Sequence, residues 1–250
     1  MNYCITVFGC KKYEDVAHIF VKETISLNEE LISNSVFFSD GFIPDLKMNQ
    51  LVIDDNISWS ARVAKSLETV EHDYILFLLD DYFLLKKLDA AKIEMLVNWS
   101  SKLDINYCRL VNIPKDNRFG NMMPLPVNPY SINLQPAIWN RKLLISILNH
   151  VDSNPWVTET SLPNYFVNEQ NFYKRAVGFN LIDGYLNAVI KGKWSRRVPN
   201  VLFMDSKRPK MNRFEWFNYR TKSILSDSLN PYFKSILKNI LKKIGFNFYS

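Results

Sequence analysis

The stretch ILFLLDDYFLL, residues 75–85, says more about the fold than any other part of the sequence. Residues 74–79 form an apolar run without polar alternation, which is typical of a central β-strand that helices cover on both faces. Asp80 and Asp81 follow the run directly, so two carboxylates stand at the carboxyl end of the predicted strand. Because ligands of open α/β sheets bind at that edge, the stretch predicts a buried strand beside a functional site.

Strand and helix signals alternate on both sides of this stretch. Six further segments have the composition of strands: residues 3–8, 35–39, 51–53, 107–111, 130–139 and 181–190. Apolar positions at helical spacing occupy residues 14–33, and Ser58, Asp89 and Asn140 each precede a helical pattern as an N-cap. This order predicts an α/β, Rossmann-like fold with a mixed, mostly parallel sheet flanked by helices.

Three segments are expected to lie outside regular structure. Proline, glycine and asparagine cluster in residues 112–128, which predicts a long loop of the kind that is often functional. Residues 152–163 are expected to form a second loop. Residues 191–197 are expected to form a basic turn.

The composition is that of a well-packed globular protein, with 47% hydrophobic and 14% aromatic residues. Its 7 glycines form no dinucleotide-binding or P-loop fingerprint, so a nucleotide has to bind through another device. The 3 cysteines have no C-x-x-C spacing, which indicates reduced thiols and a cytoplasmic protein. We expect neither a signal peptide nor a membrane span, because the N-terminus has the pattern of a strand and no apolar run reaches about 18 residues.

The net charge of +6 is concentrated near the C-terminus, where the basic residues of 207–243 face only Glu215 and Asp227. We therefore divide the chain into a main domain, residues 1–205, and a basic, aromatic, helical tail, residues 206–250. Residues 232–248 carry apolar side chains on one helical face and lysines on the other. That pattern suits an anionic membrane surface, and equally a docking site on the main domain or on a second subunit.

The Asp80–Asp81 pair has the chemistry of a cation site. Carboxylate oxygens are hard ligands that suit Mg²⁺ or Mn²⁺, and such an ion bridges to a diphosphate. Adjacent side chains on an extended chain diverge, so one carboxylate would ligate the ion while the other meets a ribose hydroxyl or a ligating water. The alternative is a solvated turn, where aspartate is common. The position directly after a fully buried strand favours the functional interpretation.

The order of several motifs resembles small bacterial glycosyltransferases of the GT-A type, which belong to surface-polysaccharide (capsule or O-antigen) gene clusters. The pattern begins with DDYF at 80–83, Asp89 and Arg109–Leu110. It continues with LQPAIWNRKLL at 134–144, NPWVTE at 154–159 and GKW at 192–194, so that the resemblance spans about residues 3–205. The adjacent acids are a departure, because many GT-A enzymes place them one residue apart.

The resemblance implies a GT-A fold and a glycosyltransferase that uses a UDP- or GDP-linked sugar donor. It implies a glycan or lipid-linked acceptor, and Mn²⁺ or Mg²⁺ held by Asp80 and Asp81. Because such acceptors are usually lipid-linked, we expect residues 232–248 to rest on the inner face of the cytoplasmic membrane.

On this resemblance, several residues acquire roles in binding the donor. Asp40 would contact the base or ribose, or else serve only as a turn residue. Gln135 would hydrogen-bond sugar hydroxyls, or else face solvent at a strand end. Lys193, together with Arg196 or Arg197, would neutralise the departing diphosphate, or else these residues belong to a solvated basic turn.

The resemblance also assigns catalytic roles. If the reaction inverts the anomeric centre, Glu159 would take a proton from the acceptor hydroxyl as the base, with Asp81 assisting through the metal. Trp156 would offer a stacking face to a sugar ring. The alternatives are a surface charge for Glu159 and a core anchor for Trp156.

Two other classes of function compete with this hypothesis. A pI near 9.1 and the aromatic residues among the basic ones of 207–222 are compatible with nucleic-acid binding, although acids after the central strand would repel phosphate without a metal. A catalytically inactive GT-A-like scaffold is the other. His18, His72 and His150 have no partner at a zinc-binding spacing, and we assign them no ligand role.

Overall fold

The computed structural model describes residues 2–25, 29–53, 56–84, 86–113, 119–125, 131–167, 175–203 and 206–228. The strands are β1 (Tyr3–Phe8), β2 (Ser35–Ser39), β3 (Asn49–Val52), β4 (Tyr74–Leu79), β5 (Tyr82–Leu84), β6 (Tyr107–Arg109), β7 (Met123–Pro124), β8 (Ala137–Asn140), β9 (Ala176–Gly178), β10 (Tyr185–Asn187), β11 (Val189–Ile190) and β12 (Lys193–Trp194). The α-helices are α1 (Glu14–Phe20), α2 (Glu29–Ile32), α3 (Trp59–Glu68), α4 (Ala90–Lys102), α5 (Arg141–Val151), α6 (Pro155–Val167) and α7 (Arg213–Ser228). Lys11–Tyr13 and Asn200–Phe203 form 3-10 turns, and Val21–Ile25 continues α1 as a π-helical turn.

The main sheet has the strand order β3–β2–β1–β4–β8–β6–β9–β7. Strands β3, β2, β1 and β4 are parallel, and β8 is antiparallel to both of its neighbours. Strands β6 and β9 are parallel, and β7 pairs antiparallel with β9. The predicted α/β class with a mixed, mostly parallel sheet is confirmed.

The central strands β1 and β4 lie side by side, with Phe8 opposite Leu79 at their carboxyl ends. The chain continues from β1 to β2 on one side, whereas β8 and β6 lie on the far side of β4. Connections that diverge in this way leave a crevice at the carboxyl edge of the sheet. Gly9 and Asp80, the residues that follow the two strands, lie at that edge.

Strand β4 is buried on both faces, as the apolar run predicted. Ile75 and Phe77 belong to the core on the side of α3 and α5, and Leu76 and Leu78 to the core on the side of α1 and α4. All four side chains are at most 1% exposed. Since successive side chains of a strand point to opposite faces, a strand between two helix layers needs apolar residues at every position.

The three predicted N-caps are confirmed. The side-chain oxygens of Ser58, Asp89 and Asn140 accept hydrogen bonds of 3.1, 3.0 and 3.1 Å from the backbone N–H groups three residues later. Each bond satisfies an N–H that has no acceptor inside its own helix. The caps therefore determine where α3, α4 and α5 begin.

The prediction of a loop at residues 152–163 is wrong, because α6 begins at Pro155. Asn154 Oδ1 accepts a 3.0 Å hydrogen bond from the Val157 N–H and acts as the cap. Proline is favourable at the first helical position, where its missing N–H would have no partner in any case. The residue that suggested a loop thus starts a helix.

The short strands also differ from the predictions. The loop predicted at 112–128 contains β7, the basic turn at 191–197 contains β12, and β9 has no counterpart among the predicted strands. Of the strand predicted at 181–190 only the short strands β10 and β11 form among the described residues, and of the strand predicted at 130–139 only β8 forms. Strands of two to four residues form because a neighbour supplies hydrogen bonds, so they leave little pattern in the sequence.

The segment that follows residue 205 is hydrogen-bonded to the main fold. The Trp194 N–H donates to the Pro209 carbonyl, and the Met211 N–H donates to the Trp194 carbonyl, each at 2.9 Å. The domain boundary at residue 205 stays a prediction. Residues 232–248 lie outside the described residues, so their membrane contact also stays a prediction. Within the described part of the chain, no helix is long and apolar enough to cross a membrane.

Candidate active site

A cavity of about 500 Å³ opens at the carboxyl edge of the sheet, beside the ends of β1 and β4. Residues that follow these strands line it together with residues of α3, α6 and the β11–β12 hairpin. Its ionisable acidic and basic lining residues are Asp80, Asp81, Glu159, Lys12, Arg62 and Lys191. The cavity thus brings together three of the predicted site residues, which are the three carboxylates.

Asp80 is a deeply buried carboxylate of this cavity. Asp80 is only 6% exposed, and its Oδ2 accepts no hydrogen bond from the described residues. Burial, reinforced by the charge of Asp81, raises the pKa of Asp80 well above its usual range. An ionised carboxylate in such a place is stabilised by a cation, and without one it tends to hold a proton.

Gly9 creates the space for the Asp80 carboxylate. A Cβ on Gly9 would lie 2.3 Å from Asp80 Oδ2 and 2.6 Å from the Phe37 ring. Both distances are shorter than any real contact. The absent side chain therefore lets the carboxylate lie against the backbone that leaves β1.

Asp81 lies between the central strand β4 and the short ribbon of β5 and β10. Its carbonyl accepts a 2.7 Å hydrogen bond from the Ala188 N–H, which holds this part of the backbone. The side chain is half-buried and lines the cavity. Burial raises the pKa of Asp81 to about 6.

Helix α6 carries Glu159 into the same cavity. Its Oε1 accepts a 3.2 Å hydrogen bond from the Leu134 N–H, and burial raises the pKa of Glu159. Trp156, one turn earlier on α6, lines the cavity and is 77% exposed, so the core-anchor alternative for this residue is wrong. A buried carboxylate and an open aromatic face are suited to proton transfer and to stacking on a ring.

The donor set at Asp80 and Asp81 fits Mg²⁺ or Mn²⁺. These ions are held in many enzymes by one or two carboxylates and complete their shell with substrate phosphates and water. The buried Asp80 oxygen that lacks a donor is the group such an ion would satisfy. Among the described residues no set of three His, Cys, Asp or Glu is arranged to hold a metal, so phosphate and water have to supply the remaining ligands.

We expect the metal-free protein to lose stability as the pH rises from about 4.5 to 7. Asp80, Asp81 and Glu159 have raised pKa values, so the folded chain keeps protons that the unfolded chain has already released. Unfolding then releases protons and becomes easier as the pH rises. Urea unfolding in EDTA should give a decline of about 1–3 kcal/mol across this range.

Asp81→Asn is the matched variant for this measurement. An amide does not titrate, so the decline should be smaller in the variant by the share that Asp81 contributes. A decline of equal size in both proteins, or a wild-type stability that increases over the same range, would contradict the prediction.

Asp40 is connected to the cavity through Arg62 of α3. Asp40 Oδ1 accepts a 2.6 Å hydrogen bond from the Lys11 N–H, and its Oδ2 lies 3.4 Å from Arg62 Nη1. The carboxylate thus joins the loop after β1 to a cationic side chain of the lining. Its contact with a base or ribose stays a prediction.

The other predicted donor-binding residues do not line the cavity. Gln135 is half-buried, and its Oε1 has no donor among the described residues. Lys193 Nζ lies 2.5 Å from Glu215 Oε1 of α7, and Arg196 is exposed with its Nη1 3.5 Å from the Met211 carbonyl oxygen. The roles of Gln135, Lys193 and Arg196 stay predictions.

The cations that line the cavity are residues that sequence reasoning missed: Lys12, Arg62 and Lys191. A signal existed for a turn at Lys191, because it is followed by Gly192 and glycine is common in tight turns. In the structure Lys191 and Gly192 both have positive φ, 51° and 75°, at the tip of the β11–β12 hairpin. For Lys12 and Arg62 the sequence carries no such signal.

No protein-family profile matches the chain, and no curated protein sequence matches it. Solved structures resemble it distantly. A cytidylyltransferase from Leptospira borgpetersenii is 14% identical over 100% of both chains, with a TM-score of 0.48. A glucosyl-3-phosphoglycerate synthase from Mycobacterium tuberculosis, in complex with Mn²⁺ and UDP-glucose, is 10% identical over 73% of this chain and 70% of its own, with a TM-score of 0.45. A mannosyltransferase from Pyrobaculum calidifontis, in complex with GDP-Man and Mn²⁺, is 9% identical over 76% of this chain and 58% of its own, with a TM-score of 0.48.

Proposed function

We propose that this protein is a glycosyltransferase that moves a sugar from a nucleoside-diphosphate sugar to a glycan or lipid-linked acceptor in the synthesis of a bacterial surface polysaccharide. The observation that carries the proposal is that Asp80, Asp81 and Glu159 line one cavity at the carboxyl edge of β1 and β4. A metal-assisted transfer to a hydroxyl needs carboxylates for the cation and a further one for the proton. The motif order quoted above supports the same reaction class.

On the donor side, Asp80 and Asp81 would hold Mn²⁺ or Mg²⁺. When bound, the ion neutralises the charge that develops on the departing diphosphate. Arg62 lines the cavity beside them and is oriented by Asp40.

On the acceptor side, Glu159 takes the proton of the attacking hydroxyl if the reaction inverts the anomeric centre. Burial disfavours its charged form, which increases its affinity for that proton. Its hydrogen bond from the Leu134 N–H orients one oxygen and leaves the other for the acceptor. Trp156 on the same helix offers a flat face to an acceptor sugar.

The nucleic-acid alternative rests on residues 207–222, some of which contact other groups of the protein. Arg208 forms an ion pair with Asp15, and the guanidinium groups of Arg197 and Arg220 lie 5.7 and 6.0 Å from the Trp216 ring centre. These basic and aromatic residues contact groups of the protein itself. Phe214 and Phe217 of the same segment are 70% and 66% exposed, so the nucleic-acid alternative is tested directly with oligonucleotides.

A panel of UDP-, GDP- and CDP-linked sugars, each with Mn²⁺ and with EDTA, tests the proposal by thermal unfolding. A ligand present at about 100 times its Kd stabilises by about 2.7 kcal/mol, which corresponds to a rise in Tm of roughly 5–10 °C for a chain of this size. We expect at least one nucleotide sugar to give such a rise with Mn²⁺ and not with EDTA.

DNA and RNA oligonucleotides form the second arm of the panel. Salt-sensitive binding of an oligonucleotide together with no response to any nucleotide sugar would favour the nucleic-acid alternative. No response in either arm would favour the inactive scaffold. Both results would contradict the proposed transfer.

A further inference from the structure

Two lysines, Lys12 and Lys191, stand at the rim of the cavity. Lys12 lies in the 3-10 turn after β1, and Lys191 at the tip of the β11–β12 hairpin. Both are exposed, and neither forms an ion pair with another described residue. An unpaired cation on the rim of a cavity is available to an anionic ligand.

One arginine, far away in the sequence, holds the backbone of both lysine-bearing segments. Arg208 Nη1 donates to the Gly192 carbonyl at 3.2 Å, and Arg208 Nη2 donates to the Lys12 carbonyl at 3.3 Å. Its guanidinium also lies 4.1 Å from the centre of the Tyr13 ring. A single planar group thus connects the turn after β1 to the hairpin tip.

Asp15 orients this guanidinium. Arg208 Nη2 donates to Asp15 Oδ1 at 2.7 Å and Arg208 Nε donates to Oδ2 at 3.1 Å, which is a two-pronged pair, and the Arg208 side chain is only 10% exposed. Burial alone would raise the pKa of Asp15, but the hydrogen bonds from Arg208 and Ser206 outweigh burial, and the pKa is lowered overall. The Asp15 carboxylate therefore stays charged and keeps the Arg208 guanidinium in one orientation.

The hairpin tip needs such a contact because its backbone is strained. Lys191 is a residue with a side chain in the left-handed region, at φ 51°, which surrounding contacts help to stabilise. The bond from Arg208 to the next carbonyl, that of Gly192, is one of those contacts.

We propose that Arg208 is a positioning residue that keeps Lys12 and Lys191 on the cavity rim, where their ammonium groups bind the diphosphate of the donor. This inference rests on the proposed function and names the phosphate-binding residues of that same site. A lysine cannot replace Arg208, because an ammonium lacks the planar fork that reaches Asp15 and two carbonyl oxygens together.

Calorimetric titration in the presence of Mn²⁺ tests the inference, with UDP, GDP and CDP as probes and the matching nucleosides as phosphate-free counterparts. Lys12→Met and Lys191→Met should each weaken diphosphate binding by about threefold to tenfold and leave nucleoside binding unchanged. Arg208→Lys should weaken diphosphate binding by about tenfold, although it retains the positive charge. Lys102 ends α4 and Arg175 directly precedes β9, so both lie near the amino ends of the strands and away from the cavity. Lys102→Met and Arg175→Lys should therefore leave binding unchanged.

Positioning is distinguished from a general structural role by coupling. If Arg208 acts through Lys191, then Lys191→Met should have a smaller effect in the Arg208→Lys background than in the wild type. Fully additive losses, or an equal loss of nucleoside binding in Arg208→Lys, would overturn the positioning role. The exposed lysine variants test the inference even where Arg208→Lys folds poorly, because unchanged diphosphate binding in both would overturn it.

The proposed function fails in a different way. If the wild-type protein binds none of the three diphosphates in Mn²⁺, the proposed donor site is wrong and the phosphate-binding role falls with it. If the wild type binds a diphosphate and the lysine variants bind it equally well, only the inference is overturned.

Discussion

Asp81→Ala is expected to abolish metal-dependent binding of a nucleoside diphosphate while the protein stays folded. Loss of an outer-shell partner of a metal site costs about 10- to 100-fold in affinity, so loss of one of two carboxylate ligands should cost on the order of 100-fold or more. The fold should survive because the Asp81 carbonyl, which accepts from the Ala188 N–H, is also present in alanine. Calorimetric titration of the diphosphate with and without Mn²⁺ measures the effect.

Asp73→Ala is the matched control, because Asp73 precedes the opposite end of the same strand. Its side chain is exposed and, among the described residues, forms a surface ion pair with Lys142, so donor binding should not change. Thermal unfolding in EDTA shows whether each variant is folded. An Asp81→Ala protein that is folded and binds the diphosphate with wild-type affinity in Mn²⁺ would refute the metal site.

Glu159→Gln is expected to lower turnover by a factor of about 100–10,000 and to leave donor binding intact. A glutamine oxygen can still accept the hydrogen bond from the Leu134 N–H, so the local structure should persist. An amide cannot take a proton at neutral pH, and general base catalysis contributes rate factors of that size. The assay is release of nucleoside diphosphate from the nucleotide sugar that stabilises the wild type most.

The donor affinity of Glu159→Gln separates chemistry from binding. A lower kcat with unchanged donor Kd is the result that a base predicts. Glu68→Gln, an exposed residue at the end of α3, serves as the control for the change from acid to amide. Turnover at the wild-type rate in Glu159→Gln would rule out the base assignment, and a loss confined to donor affinity would move Glu159 to the donor site.

Sequence reasoning succeeded for the central strand and the caps because their signals are local. The apolar run of β4 predicts by itself that the strand is buried, and a cap such as Ser58 accepts a hydrogen bond from an N–H only three residues away. It failed at α6, because Pro155 is compatible with a loop and with the first turn of a helix. The choice between them depends on packing, in which Thr158 and Leu162 of α6 are buried.

The site was predictable only in part. Asp80 and Asp81 were recognised because they directly follow a strand that is itself recognisable, and Glu159 because of the family resemblance. Lys193 and Lys191 lie two residues apart in one basic turn, and only the pairing of β11 with β12 decides that Lys191 lines the cavity while Lys193 meets Glu215.

The residues alone are enough to infer a buried central strand that ends in two acids, and the α/β layering around it. These properties depend on hydrophobic pattern and on contacts within a few residues. Packing in three dimensions is needed to bring Glu159 into one cavity with the acids, and to place Arg208 against the carbonyl groups of Gly192 and Lys12, which lie 16 and 196 residues away in the sequence. Such contacts are set by how helices and hairpins pack, and residues brought together by packing leave no periodic trace in the chain.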